Sequence, residues 1–213
     1  PEDHAVLEKK GFLLVDSGAT YMDGTTDITR TYPLGELTED EKRFYTWTLQ
    51  SHIDLARAVW LDYCECKMID TIAREPLWSH LINYRCGTGH SVSFVGNVHE
   101  GPHALNSRNT TRMRPGMVVT DEPGVYETDL VGIRIENELV CIHKADNQYG
   151  TFLGFEPLTF VPIATSPILP GVLDKDELAW LNDYHRQVFA KLAPHLNAEE
   201  RVWLAEKCAS IGC

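Results

Sequence analysis

Val98-His99-Glu100-Gly101-Pro102-His103 reads VHEGPH, and its His-Glu-x-x-His spacing suggests chemistry. On a helix it would set two histidines on one face to hold zinc, with the glutamate between them as base. Gly101 and Pro102 defeat that geometry. A proline inside a helix removes a donor and clashes with the preceding turn, at about 3 kcal/mol, and a glycine adds about 1 kcal/mol. Neither flank shows a helical apolar stripe. The histidines therefore lie on an extended segment, and the zinc-helix reading is set aside.

Other polar residues stand where burial would be costly. Asp16 follows Phe12-Leu13-Leu14-Val15, Glu122 follows Met117-Val118-Val119-Thr120-Asp121, and Glu136 follows Ile133-Arg134-Ile135. Charged side chains in such runs need a partner or a metal. His90 sits in Gly87-Thr88-Gly89-His90-Ser91-Val92, where glycines let the backbone approach something closely. Each residue also has an ordinary reading. Asp16 could cap a turn at Asp16-Ser17-Gly18, Glu136 could share a solvated face with Glu138 or pair with Arg134, and His90 could be a hydrogen-bonded core residue. Cys64-Glu65-Cys66 could be half of a metal or redox site, but no second pair accompanies it.

Strands must position most of these groups. Gly11 to Tyr21 reads as a strand stopping at Asp16-Ser17-Gly18. Asp27 to Tyr32 alternates, so Asp27, Thr29 and Thr31 share a face. Met117 to Thr120 is a further strand, and Gly132 to Ile142 a longer one carrying Arg134, Glu136 and Glu138 on one side. The capping box Thr38-Glu39-Asp40-Glu41 opens a helix expected to run to about Trp60, and a shorter helix is expected over Lys67 to Ala73. Pro157 to Pro170 is a proline-rich connector. Beyond it, Asp174-Lys175-Asp176-Glu177 and Asn197-Ala198-Glu199-Glu200 each open a helix. The pattern is a mixed sheet flanked by helices with a helical C-terminal appendage.

The chain has 213 residues, 43% of them apolar, enough for one packed domain. Its net charge of -12 would repel a phosphate backbone, so neither nucleic acid nor anionic membrane is an expected partner. No apolar run approaches the roughly 18 residues of a membrane span. Pro1-Glu2-Asp3-His4 does not look like a secretory leader. The six cysteines, Cys64, Cys66, Cys86, Cys141, Cys208 and Cys213, show no framework spacing, which suits reduced thiols in a cytoplasmic protein.

LLVDSGATYMDGTTDITRTYPLG, GTGHSVSFVGNVHEGP, VVTDEPGVYE and GIRIENELV occur in that order. Together they resemble the catalytic domain of the Xaa-Pro aminopeptidases (aminopeptidase P), in the pita-bread metallopeptidase family M24. FEPLTFVPI and DKDELAWLNDYH resemble the C-terminal extension of the long cytosolic form. The resemblance implies an α+β pita-bread fold of the creatinase and methionine aminopeptidase kind, over residues 1–163 and lacking its N-terminal part. Residues 164–213 would be a helical extension packed on it. By position it implies Asp16, Asp27, His90, Glu122 and Glu136 as ligands of two divalent ions. A hard, oxygen-rich donor set suits Mn(II) or Co(II), with Zn(II) also compatible. It implies hydrolysis by a metal-bridging hydroxide, with Glu122 as general base or proton shuttle and His99 beside the scissile carbonyl. Arg134 would orient Glu136 from behind, and Tyr126 would do likewise or simply pack.

The implied activity is release of the first residue from peptides with proline second, by a cytoplasmic homodimer. Leu178, Leu181, Val188, Trp180 and Tyr184 offer apolar surface at helical spacing, either for that dimer or for packing on their own domain. Two departures stand out. Cys86 occupies a position four before His90 where the family often has a pocket histidine, and a thiol cannot carry its charge. The family also has substantial sequence before the first metal aspartate, so weak or no peptidase activity is expected from this chain alone. The rival readings are a Xaa-Pro dipeptidase (prolidase), a non-catalytic protein-binding module on the same fold and, more distantly, creatine hydrolysis.

Overall fold

A computed structural model describes residues 6–212. Pro1-Glu2-Asp3-His4 and Cys213 lie outside the described residues.

β1 (Phe12–Tyr21) and β2 (Gly24–Pro33) form a two-stranded antiparallel hairpin. The strand does not stop at Asp16-Ser17-Gly18 as expected, but pairs without interruption to Tyr21 opposite Gly24. Gly18 serves close approach rather than a turn, since a Cβ there would lie 2.4 Å from the Thr26 carbonyl oxygen. The turn falls at Met22-Asp23, before Gly24 with its φ of +148°, a value that favours glycine.

α1 (Glu39–Ala56) opens on the predicted capping box. The Thr38 side chain accepts from the Glu41 amide, and the Glu41 carboxylate accepts from the Thr38 amide. It ends before Trp60, because β3 (Val59–Leu61) is needed as an edge partner of a later strand. α2 (Cys66–Trp78) runs beyond Ala73 and carries Pro76 in its last turn.

The main sheet then assembles from β4 (Gly89–Val92), β5 (His99–Leu105) and β6 (Val118–Asp121), joined by two later strands. A small hairpin, β7 (Gly124–Glu127) with β8 (Val131–Arg134), precedes β9 (Asn137–Asn147) and β10 (Gly150–Pro157). The six-stranded order is β3-β10-β9-β6-β4-β5, with every neighbouring pair antiparallel. The expected single strand over Gly132 to Ile142 is thus two strands of different sheets, parted at Ile135-Glu136. The reason is tertiary. The Glu136 amide donates to the Thr29 carbonyl of β2 at 3.1 Å, and the Arg134 amide donates to the Thr31 hydroxyl.

One core lies between the main sheet and the first two helices, with Leu55, Ile69, Leu105, Val119, Leu139 and Phe155. A second joins Tyr45, Leu49 and Ile53 of α1 to Ile133 and Ile135. α3 (Lys175–Leu192) and α4 (Ala198–Lys207) start where expected, each on a capping box, and complete that second core with Leu181, Tyr184, Val188 and Leu204. The apolar face of the tail is therefore largely spent inside the chain. Fully burying one such leucine contributes roughly 1.5–3 kcal/mol. No helix among the described residues is long and apolar enough to cross a membrane.

Candidate metal centre

The β1–β2 register pairs Gly18 with Asp27 and Asp16 with Thr29. Directly opposed residues share a face, so Asp16 and Asp27 sit diagonally on one side of the hairpin. Gly18, without a side chain, leaves the space between them open.

His90 comes from β4, whose backbone lies so close to β6 that a Cβ at Gly89 would be 1.8 Å from the Thr120 carbonyl oxygen. The His90 amide donates to the Thr120 hydroxyl at 2.9 Å. Its Nδ1 lies 3.1 Å from the Ser91 carbonyl, which assigns a proton to Nδ1 and turns Nε2 toward the carboxylates. Nε2 stands 3.2 Å from Glu122 Oε1 and 3.4 Å from Asp27 Oδ2. Glu122 begins the turn after β6, where its amide donates to the Thr88 carbonyl and its Oε1 accepts from the Thr120 hydroxyl. Glu136 stands at the break between β8 and β9 and accepts from the Thr29 hydroxyl at 2.6 Å.

All five residues line one cavity of about 580 Å³, together with His99 and Arg134. Asp27, His90 and Glu136 form the tight group, each offering an atom within 4.8 Å of the others. Asp16 is turned toward Arg134, whose Nη2 is 2.5 Å from its carboxylate. Arg134 does not touch Glu136 directly, as the shared-strand reading expected. It reaches that residue through Thr29, whose hydroxyl accepts from Arg134 Nε at 3.0 Å and donates to Glu136. The Tyr126 hydroxyl accepts from Arg134 Nη1.

His99 lies at the cavity wall, its ring 3.9 Å from that of His90. His103, at the other end of the VHEGPH stretch, is buried in the sheet with Nε2 2.7 Å from the Val118 carbonyl. Both are on β5, a strand, so no zinc helix exists. Cys86 lines a neighbouring cavity of about 720 Å³, together with Arg74, Arg85 and Arg108. Cys64 and Cys66 are free thiols, Cys66 in the core.

Two groups escaped the reading of the sequence. Glu138, which one of the ordinary readings of Glu136 set beside it on a solvated face, is 7% exposed, and burial pushes its carboxyl up to about 7. Asp121, next to Glu122, is fully buried with its carboxylate 3.1 Å from His52. Its place at the end of an apolar strand was the available signal.

The electrostatics favour a cation. Burial, then the charges of Glu122, Asp27 and Asp16, push the Glu136 carboxyl up to about 8 against the opposing bond from Thr29. Burial raises the Glu122 carboxyl as well. For His90 burial works in the opposite direction, yet Asp27, the Ser91 carbonyl and Glu122 hold the imidazole above its ordinary range. Such a cluster retains protons that divalent cations would displace. Four carboxylates and an imidazole with its second nitrogen already bonded are a donor set that fits such ions.

The profile of metallopeptidase family M24 matches residues 1–143, and that of the C-terminal region of peptidase M24 matches residues 151–211. A probable Xaa-Pro aminopeptidase P of Laccaria bicolor is 40% identical over 219 aligned positions, covering 99% of this chain and 34% of that protein. The solved X-prolyl aminopeptidase of Caenorhabditis elegans, described as a cytosolic enzyme with a dinuclear active site, superposes with a TM-score of 0.88. It is 40% identical over 93% of this chain and 33% of its own. Prolidase from Pyrococcus furiosus superposes with a TM-score of 0.62 at 28% identity, over 71% of this chain and 42% of its own. The chain thus spans about a third of the length of the aminopeptidase relatives it matches.

Proposed function

The chain belongs to metallopeptidase family M24 and has its pita-bread α+β fold, and from that premise we propose that it carries the dinuclear metal site of a Xaa-Pro aminopeptidase. Such an enzyme releases the first residue of peptides with proline second. The observation that carries the reading is the convergence of Asp16, Asp27, His90, Glu122 and Glu136, drawn from distant parts of the sequence, on one cavity.

We assign these five as the metal donors. Two divalent ions, when bound there, supply a water acidic enough to attack at neutral pH and positive charge opposite the developing oxyanion. The chain's own groups do the rest. Glu122, with one oxygen held by Thr120, receives the proton of the attacking water and passes it to the departing amine. His99, on the wall beside His90, faces the scissile carbonyl and donates to its oxygen. Arg134 fixes Asp16 directly and Glu136 through Thr29, and Tyr126 fixes Arg134. Cys86 lies toward the adjoining cavity and shapes the substrate approach without acting as a nucleophile.

The oxygen-rich donor set supports Mn(II) ahead of Co(II) or Zn(II). The net charge of -12 supports peptides rather than nucleic acid or membrane as partners. A cytoplasmic setting is supported by the described free thiols and by the cytosolic relative. In the homodimer of this reading, contact falls outside Leu181, Tyr184 and Val188, which are used internally. Residues 164–213 are the helical extension, packed on the catalytic part through the shared core.

A prolidase reading is favoured by the Pyrococcus furiosus superposition, but that match leaves 29% of the chain uncovered, against 7% for the aminopeptidase. The five donor positions speak against a non-catalytic module. Mn(II) titration of the metal-free chain by calorimetry, followed by assay on Xaa-Pro peptides of increasing length, tests the proposal. Binding of two ions is the expected result, with turnover that is weak in this chain alone and, where measurable, extends beyond dipeptides. Absence of Mn(II) binding sinks the metal assignment, and turnover confined to dipeptides sinks the aminopeptidase.

A further inference from the structure

Arg30, three positions after Asp27 on β2, is 3% exposed. A guanidinium out of water normally faces a carboxylate. This one instead donates to the carbonyls of Thr29, Glu136, Val161 and Pro162, to the Asn137 amide oxygen and to the Tyr184 hydroxyl. None of these acceptors is anionic, and they come from β2, the β8–β9 break, β9, the segment before α3, and α3 itself.

The bond to the Glu136 carbonyl is 2.5 Å and that to Asn137 Oδ1 is 2.7 Å. With its oxygen committed to Arg30, the Asn137 amide nitrogen faces His52 Nε2 at 3.3 Å, which makes that nitrogen the acceptor. The proton of the ring then sits on Nδ1, 3.2 Å from the Asp121 carbonyl and 3.1 Å from its carboxylate. The Asp121 carbonyl belongs to the peptide group that leads into Glu122. One ordered chain of donors thus runs from Arg30 through Asn137 and His52 to the backbone of Glu122, while Arg30 itself holds the backbone of Glu136. Asn137, His52 and Asp121 are all fully buried, so no water competes for these bonds.

We propose that Arg30 is a positioning residue of the metal centre, linking the C-terminal region to the backbone of two donors, Glu136 directly and Glu122 through Asn137 and His52. The proposal rests on the metal reading above. Tyr184 is its anchor on the C-terminal side. The hydroxyl accepts from Arg30 at 3.0 Å and is itself held among Thr159 and Val161 at 3.0–3.3 Å. Lysine would keep the charge at Arg30 but lose the planar fork that serves acceptors on several sides.

The test measures Mn(II) affinity by calorimetry and the visible absorption of the Co(II)-loaded chain, for wild type, Arg30→Lys and Tyr184→Phe, together with the thermal midpoint of each metal-free chain. Arg30→Lys is expected to bind Mn(II) roughly 10- to 100-fold more weakly. Its Co(II) spectrum at saturating ion should differ from wild type, which a purely structural role would not produce. Wild-type affinity and spectrum in a folded Arg30→Lys chain overturn the proposal. Should that chain fail to fold, Tyr184→Phe, which keeps the ring in the core and removes one acceptor of Arg30, decides in the same way. A wild-type chain that binds no Mn(II) overturns the metal reading itself, a result distinct from equal binding by wild type and variant.

Discussion

Glu136 shows how one carboxylate gathers its behaviour from its surroundings. It is buried among three other acids, with the Thr29 hydroxyl as its near partner. In the metal-free folded chain its carboxyl titrates at about 8, against an ordinary value of 4.5. The folded state then binds more protons than the unfolded state between those values, so the stability of the metal-free chain falls as pH rises from about 4.5 to about 8. Glu138, pushed up to about 7, acts in the same direction over a narrower window. Denaturant midpoints measured across that range in a chelator should decline, and Glu136→Gln should flatten the decline. Saturating Mn(II), which replaces the protons, should flatten it too for wild type. A wild-type midpoint that rises with pH in the chelator would contradict the burial argument.

At the scale of elements, the site depends on how closely backbones approach. Gly89 lets β4 lie against β6, and a methyl group there would overlap the Thr120 carbonyl. Gly89→Ala must push β4 outward and carry His90 with it. We expect a stability loss of about 1–3 kcal/mol by chemical denaturation, together with weakened Mn(II) binding. Wild-type metal affinity in that variant would show that the strand position is not what sets His90. This also marks where the sequence was readable and where it was not. The helix starts at Thr38, Asp174 and Asn197 were legible because capping is local and chemical. The second strand of the hairpin was legible from the alternation after Asp27, but the length of the first was not, because Asp16-Ser17-Gly18 has the composition of a turn while Gly18 serves a cross-strand approach. The break at Glu136 left no local trace in GIRIENELV, since a bond to Thr29, more than a hundred residues away in sequence, creates it. The five proposed donor positions stood out by order and family likeness. Taken singly, each had an ordinary alternative that only three-dimensional neighbours could remove. Arg30 and His52 gave no signal at all, as their role lies in what tertiary packing sets beside them.

For the molecule as a whole, the C-terminal helices are part of the core rather than an attachment. Leu181 and Val188 are fully buried with Leu49 and Ile53 of α1 and Ile133 and Ile135 beside the candidate metal cavity. Leu181→Ala should cost about 2–5 kcal/mol in global unfolding, in one transition that α1 and the sheet share. A separate, earlier transition for the tail would show two independently folding parts. The β1–β2 hairpin is the opposite case. It forms its own two-stranded sheet, yet it contributes Asp16 and Asp27 to a cluster whose other members stand on the main sheet and its margins. An ion held between them would rivet the two together. Deuterium uptake by the amides of residues 12–33 should accordingly slow when Mn(II) is added and recover with chelator, while the strands of the six-stranded sheet change little. The hairpin would then report, by its own breathing, whether the metal is home.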